Sequence, residues 1–119
     1  MYVGLAVARR LLTTRCQVRP GQMETFLRDV QQWEEDAMET PEAPDYHALY
    51  LNRAEPSHAL VVTHFRDKEH ADAFAATGLL GRFQESVLSC VVDELDAQGY
   101  DLYYAAGPGG PRAVFGQDS

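Results

Sequence analysis

The stretch Gln17-Val-Arg-Pro-Gly-Gln-Met-Glu-Thr-Phe-Leu-Arg-Asp-Val-Gln-Gln-Trp33 contains the end of a strand, a sharp stop and the first turns of an amphipathic helix. Before it, Leu11 to Val18 mixes β-branched and apolar side chains at strand-like spacing. Pro20 and Gly21 end that strand, because proline offers no N–H to a sheet and glycine permits the turn. The apolar residues that follow at helical spacing are Met23, Phe26, Leu27, Val30, Ala37 and Met38. The segment predicts a strand followed by a helix that faces a core.

Two more strands are predicted after this helix, which should end before Pro41 and Pro44. The aromatic-rich run Tyr46 to Leu51 predicts one strand, and His58 to Arg66 predicts the other. The connection between them contains Pro56 and predicts a hairpin. The centre of the second run is apolar at consecutive positions, which is typical of a strand buried on both faces.

A second helical region and a last strand complete the pattern. Asp67 is placed to cap the helix, and Glu69 lies in its first turn, where a carboxylate stabilises the helix dipole. The apolar stripe of this region is interrupted at Thr77-Gly78. It resumes through Leu80, Phe83, Val87 and Val91. We expect Gly99 to close the helical region and Tyr100 to Ala106 to form the last strand.

The predicted order of elements is β-α-β-β-α-β, the split βαβ arrangement of an α+β, ferredoxin-like fold. Two helices can cover only one face of such a sheet, yet the middle hairpin is apolar on both faces. A second copy of the chain would bury the uncovered face, so we expect a homodimer with its sheets face to face. Residues 1–106 form the predicted domain, and residues 107–119 form a tail rich in glycine and proline.

Composition limits the classes of partner and compartment. The chain has 119 residues, which is the size of one domain. Its net charge of -8 argues against nucleic acid or an anionic membrane surface as a partner, because both require a positive footprint. The apolar start, Met1 to Leu12, is too short for a membrane span and contains two arginines. Cys16 and Cys90 are too few for a disulfide framework, so we expect buried thiols and a cytoplasmic protein.

The same residues resemble the dimeric α/β barrels of the antibiotic-biosynthesis-monooxygenase family. The matching segments are Val18-x-Pro-Gly-x-x-x-x-Phe26, Tyr46 to Leu51, Ala59 to Phe65 with Arg66-Asp67 after it, Glu69 to Ala76, Leu80 to Phe83, and Tyr100 to Tyr104. The resemblance covers about Leu11 to Ala106, and its motifs are mainly structural, so they specify a fold better than an activity. It implies a small oxygenase that oxidises aromatic phenols or quinols without metal or flavin, and hence no cofactor.

Two departures from the family pattern affect the function that the resemblance implies. Phe65 occupies the strand position at which the best-studied oxygenases of this type carry a tryptophan, so an indole N–H is missing. The haem-degrading relatives pair an asparagine on the first strand with a histidine on the second helix. Thr14 and Gln84 are nearest to those positions here, and neither is a usual ligand of haem iron. We therefore expect no haem.

The four histidines, His47, His58, His64 and His70, do not have the spacing of a metal site, and we expect no metal. His47 and His64 are cross-strand neighbours in one hairpin register, whereas a shift of one residue places Tyr46 opposite His64. Imidazole can take a phenolic proton near neutral pH, and His64 lies on the most buried predicted strand. His64 is therefore the candidate catalytic base, whereas His70 at a helix start is expected to be exposed.

An apolar pocket between sheet and helices is the predicted ligand site. Its candidate substrate-binding residues are Trp33, Tyr46, His47, Tyr50, Phe65 and Phe83. Trp33 precedes the acidic run Glu34-Glu35-Asp36 and is expected at the pocket rim. The acidic run itself predicts a solvated helix end, because runs of charge are generally exposed.

Two functions remain open from the sequence. The first is a cofactor-independent monooxygenase that oxidises an aromatic, phenolic or quinol-type small molecule. The alternative is a non-catalytic dimer of the same fold that binds a small apolar or aromatic molecule or has a structural role. An enzyme requires polar groups that converge in an apolar cavity, and His64, His47, Tyr46, Tyr50 and Arg66 are the candidates for that task. The missing indole favours the alternative.

Overall fold

The computed structural model describes residues 9–103. Their helices and strands are β1 (Arg10–Val18), α1 (Met23–Met38), β2 (Tyr46–Leu51), β3 (His58–Phe65), α2 (Lys68–Ala75), α3 (Leu79–Val87) and β4 (Val91–Asp101). A short 3-10 turn, Leu88–Cys90, joins α3 to β4. The tail predicted for residues 107–119 and the end of the predicted last strand lie outside the described residues.

The four strands form one antiparallel sheet in the order β2-β3-β1-β4. The first and third strands lie at the centre, and the second and fourth lie at the edges. Together with the helices this is the predicted α+β, ferredoxin-like fold. The predicted second helix is divided into α2 and α3, because Gly78 takes a left-handed conformation (φ 81°) at the interruption in the stripe.

The segment from Gln17 to Trp33 folds as predicted, as the end of a strand, a turn and a helix. Gly21 turns the chain with φ 79° after β1, and α1 begins two residues later. Its buried residues are Phe26, Val30, Trp33 and Ala37. Met38 at the end of the stripe is 39% exposed. Asp67 caps α2 as predicted, since its carboxylate accepts a hydrogen bond from the backbone N–H of His70 at 2.9 Å.

The start of the last strand was predicted wrongly. We expected a helix to continue through Val91 and close at Gly99, but α3 ends at Val87 and β4 begins at Val91. Val91 lies four residues after Val87, so it fits a helical stripe and the first core-facing position of a strand equally well. Pairing with β1, from Val18 opposite Val91 to Arg10 opposite Asp101, selects the strand.

The sheet has two different faces, which the register defines. The helix face carries Cys16, Val18, Leu49, Val61 and Phe65, all of which belong to or contact the core under the helices. The open face carries the alternate residues. They form three rows, each of which crosses the sheet from β2 through β3 and β1 to β4. Starting from the turn between β2 and β3, the rows are Tyr50, Leu60, Arg15 and Asp96; Ala48, Val62, Thr13 and Gln98; and Tyr46, His64, Leu11 and Tyr100.

The core lies between the helix face and the three helices. Phe26, Phe65, Phe74 and Val87 are almost completely buried there. Within residues 9–103, no helix combines the length and the apolar character needed to cross a membrane.

Candidate functional site

The structure divides the predicted site residues between the two faces of the sheet. His64, Tyr46 and Tyr50 lie on the open face, because they occupy alternate positions of the β2-β3 ladder. The remaining predicted residues, Trp33, His47, Phe65 and Phe83, lie on the side of the helices. The predicted pocket between sheet and helices therefore does not bring His64 together with Trp33 or His47.

His64 and Tyr46 form the centre of the candidate site on the open face. The observed register places Tyr46 opposite His64, and His47 opposite Thr63, so the second of the two registers left open by the sequence is the one that forms. The rings of Tyr46 and His64 meet edge to face with 4.9 Å between their centroids. Leu11 lies opposite His64 on the other side and continues the apolar surface.

Burial changes the protonation of His64. The partly buried imidazole loses hydration, which lowers the pKa of His64 from its ordinary value of 6.5, and the nearby Asp45 carboxylate opposes this shift. Asp45 is 3.6 Å from the Arg66 guanidinium, so part of its charge is already balanced. The neutral imidazole, which can accept a proton, is thus the favoured form of His64 at neutral pH.

The opposite end of the open face has a groove. Its volume is about 630 Å³, and its lining residues include Arg15, Tyr50, Leu60, Glu94 and Asp96. Tyr50 is 54% exposed beside it. Among the predicted site residues only Tyr50 lines this groove, which His58 also lines, so the groove and His64 are at different ends of the strands.

Trp33 is a core residue, which corrects the prediction of a rim position. It is 4% exposed, and its indole N–H donates a hydrogen bond to the carbonyl oxygen of Leu79 at 2.8 Å. Its ring meets Phe83 at 5.1 Å and Phe74 at 6.2 Å, both edge to face. Phe65 contacts Phe74 in turn, at 5.6 Å. The aromatic rings on this side pack against one another.

His47 lies beneath α1 at the margin of this aromatic cluster. Its side chain is 1% exposed, and its Nδ1 atom is 2.6 Å from Oε2 of Glu34. Its ring lies 5.2 Å from the Trp33 ring at a tilt of 48°. The Nε2 atom of His47 is buried and has no hydrogen-bond partner among the described residues. Glu34 was predicted only as part of a solvated helix end, because a pair formed between a helix and a distant strand leaves no local pattern in the sequence.

His70 is structural and buried, which corrects the expectation that it is exposed. Its Nδ1 atom accepts a hydrogen bond from the backbone N–H of Arg66 at 3.0 Å, so the other ring nitrogen, Nε2, donates to the carbonyl oxygen of Ala43 at 2.8 Å. The ring joins the β3-α2 turn to the loop before β2. His58, by contrast, is exposed at the start of β3 and lies 3.1 Å from Glu55.

The described residues contain no group of three or more His, Cys, Asp or Glu side chains placed to hold a metal ion. Thr14 is buried on the helix face, whereas Gln84 is exposed on α3, so the two positions nearest to the haem-degrading pattern have different surroundings. Cys16 and Cys90 are buried free thiols, as predicted. Burial raises the pKa of Cys16 to about 11, which keeps it protonated and unreactive.

Comparisons with known proteins identify relatives of the fold. No protein-family model and no curated protein sequence matches the chain. A conserved protein from Methanosarcina mazei Go1 superposes with a TM-score of 0.69 at 12% identity, over 81% of this chain and 94% of the other. A proposed antibiotic biosynthesis monooxygenase from Bordetella bronchiseptica gives 0.65 at 15% identity, over 79% and 96%. Another from Caulobacter crescentus CB15 gives 0.67 at 8% identity, over 79% and 89%.

These similarities confirm the resemblance at the level of the fold. The chain has the ferredoxin-like fold of structures described as antibiotic biosynthesis monooxygenases, and it spans nearly their whole length. Since a fold can carry many activities, the reaction has to be argued from this chain's own residues.

Proposed function

We propose that the chain is a monooxygenase-like oxidoreductase that oxidises an aromatic phenol or quinol with molecular oxygen, and that His64 is its base. One observation carries this proposal: His64 is partly buried on an apolar face, with its pKa lowered toward the neutral form and the Tyr46 ring against it. A neutral imidazole in such a place can accept a proton from a flat, weakly acidic ligand. The fold shared with monooxygenase structures supports the same class of reaction.

The proposed reaction starts with proton transfer. The phenolic O–H bond breaks and its proton goes to a ring nitrogen of His64. The resulting anion transfers one electron to oxygen, and the radical and superoxide combine to a peroxide anion on a ring carbon that carries hydrogen. The proton on His64 then passes to this peroxide, which gives the hydroperoxide and restores the neutral imidazole. Loss of water leaves a carbonyl, so the substrate and O₂ become a quinone-type product and H₂O. Tyr46 lies opposite His64 on the same face, so its phenol hydroxyl is the nearer candidate donor of a hydrogen bond to the anion, whereas Tyr50 lies two rows away.

A second copy of the chain would complete this site. Tyr46, Tyr50 and Tyr100 are each about half exposed on the open face, with Leu60 and Val62 between them. Monomeric proteins seldom leave such a cluster of aromatic and aliphatic side chains in water, although polar residues border it on β1 and β4. In the proposed homodimer the two open faces meet, which removes His64 from water and encloses the ligand. The buried free thiols suit the cytoplasm, where we propose the protein works.

The test is oxygen uptake with anthrone-like and quinol substrates. His64→Ala should reduce turnover about 10²- to 10⁴-fold, as is typical when a general base is lost. His58→Ala is the matched control, because His58 is exposed at the other end of the same strand. His70→Ala is unsuitable, since His70 supports two backbone hydrogen bonds. Undiminished turnover in His64→Ala, or equal losses in both variants, would remove His64 from this role.

A non-catalytic binding role is the second candidate, and Phe65 favours it. The Phe65 side chain is buried in the core and has no N–H group. The oxygenases that this chain resembles carry a tryptophan at the corresponding strand position. Saturable binding of quinols to the wild-type protein with no oxygen uptake would support the binding role and exclude the oxidation.

A further inference from the structure

The charged side chains at the two ends of the open face differ in sign. The end near the turn between β2 and β3 carries Glu94 and Asp96, which line the groove together with Arg15. At the other end, Arg9 comes directly before β1 and Arg66 directly after β3, and these two strands are paired. This pair of arginines is a local exception in a chain with 18 acidic and 10 basic side chains. An anion is therefore attracted to one end of the face and repelled from the other.

The carboxylates near these arginines balance their charge only in part. Asp101 lies 2.6 Å from an arginine of β1, and Asp67 accepts the hydrogen bond that caps α2. The Asp45 carboxylate lies 3.6 Å from Nη1 of Arg66, which is longer than a hydrogen bond. A guanidinium group has several N–H donors, so Arg66 keeps donors for a further anion.

Arg66 is fixed at its backbone and free to reach solvent at its side chain. Its backbone N–H donates a hydrogen bond to Nδ1 of the buried His70 at 3.0 Å, which holds the start of the side chain in place. The side chain itself is 65% exposed. A guanidinium in this situation can bind a carboxylate through parallel N–H···O bonds, which combine charge with a defined geometry.

The row of residues beside Arg66 leaves room for an aromatic ring. Tyr46 is 45% exposed and Tyr100 is 52% exposed, and both lie in the row that contains His64. His64 and Arg66 are two positions apart along the chain, which corresponds to about 6.6 Å in a strand. This spacing is comparable to the separation of two groups on opposite sides of one aromatic ring. A ligand with a hydroxyl and a carboxylate placed in this way can meet both residues.

We propose that the substrate of the proposed oxidation is an aromatic acid, a phenol or quinol that carries a carboxylate, and that Arg66 binds this carboxylate while the hydroxyl faces His64. The inference rests on the proposed function and adds the charge of the substrate to it. Arg66 is then a specificity-determining residue. The carboxylates of Glu94 and Asp96 disfavour the reversed orientation, in which the acid group would lie at the groove.

The test compares two quinols that differ in charge and have the same ring. They are 2,5-dihydroxyphenylacetate and its neutral amide, 2,5-dihydroxyphenylacetamide, whose methylene group separates the ring from the charge. We expect kcat/KM for oxygen uptake by wild-type protein to be about tenfold higher with the acid, as one charge-assisted contact implies. This preference should shrink in concentrated salt, because an exposed ion pair is screened.

Variants of Arg66 assign the preference to its charge. Arg66→Gln should bring the ratio of the two kcat/KM values close to one, and Arg66→Glu should favour the amide. Arg66→Lys should keep part of the preference for the acid, since the charge remains without the planar geometry. Arg82→Gln is the matched control, because it removes one positive charge at an exposed position of α3. It should keep the wild-type ratio.

Binding without oxygen separates this inference from the proposed oxidation. Calorimetric titration of wild-type protein under anaerobic conditions should give a dissociation constant about tenfold lower for the acid than for the amide. Equal affinities would overturn the inference, and oxygen uptake with both quinols would then still support the oxidation. Tighter binding of the acid with no oxygen uptake would refute the oxidation and keep Arg66 as the anion-binding residue of a binding protein. Failure of both quinols to bind would overturn both proposals.

Discussion

The two faces of the sheet carry similar aromatic residues, but these residues differ in how far they are buried. On the helix face, Phe65 meets Phe74, and Trp33 meets Phe83, so aromatic rings pack against other aromatic rings. On the open face, Tyr46, Tyr50 and Tyr100 remain about half exposed, and no element of residues 9–103 covers them. The same class of side chain therefore stabilises the fold on one face and is available for a ligand or a partner on the other.

The largest expected effect tests this contrast by removing one ring from each face. Phe74→Ala should lower the free energy of unfolding by about 3–5 kcal/mol, because it leaves a cavity among Trp33, Phe65 and their neighbours. Tyr50→Ala removes a ring that is about half exposed within one chain and should cost much less, apart from a part that depends on protein concentration and comes from the proposed dimer. Urea denaturation monitored by circular dichroism gives both values. Equal losses would mean that the open face is as tightly packed as the core.

The next effect concerns the proposed dimer. Val62 lies on the open face between Ala48 and Thr13, neither of which is charged, and a charge there would be buried against the partner. Val62→Asp should weaken association by several kcal/mol, since an unpaired buried charge is strongly unfavourable. Gln31→Asp adds the same charge at an exposed position of α1 and serves as the control. Light scattering at micromolar concentration should show a wild-type dimer. A stable wild-type monomer of 13.3 kDa would refute the proposed interface.

Much of the fold was predictable because its signals are local. Pro20 and Gly21 end β1, Asp67 caps α2, and Gly78 interrupts the second helical stripe, each through the geometry of its own residue. The start of β4 was not predictable in this way. Val91 suits two periodicities, and the pairing with a strand more than seventy residues earlier decides between them.

The candidate site was less predictable, because it depends on register and on long-range contacts. The alternation of the hairpin separates His64 from His47, which no composition argument detects. The indole N–H of Trp33 donates a hydrogen bond to the carbonyl oxygen of Leu79 on another helix. Glu34 pairs with His47, which lies thirteen residues later in the chain. The acidic neighbours of Trp33 suggested a solvated rim, but helix geometry turns Trp33 inward and leaves Glu35 exposed.

The smallest expected effect uses pH to probe the open face at His64. Its pKa in the folded chain is lowered, so the unfolded chain binds the proton more readily. The stability that depends on neutral His64 is therefore fully present above the ordinary value of 6.5 and is lost as the pH falls through the lower, folded value. The melting temperature of wild-type protein should decline over this range more steeply than that of His64→Gln, whereas His58→Gln should keep the wild-type slope.

Asp45→Asn should steepen the decline further, because the Asp45 carboxylate partly stabilises the protonated ring. The comparison uses slopes and not absolute temperatures, since Asp45 also faces Arg66. A slope unchanged in both His64→Gln and Asp45→Asn would show that His64 is as well hydrated when folded as when unfolded, and the open face would then lack the desolvated base that the oxidation requires.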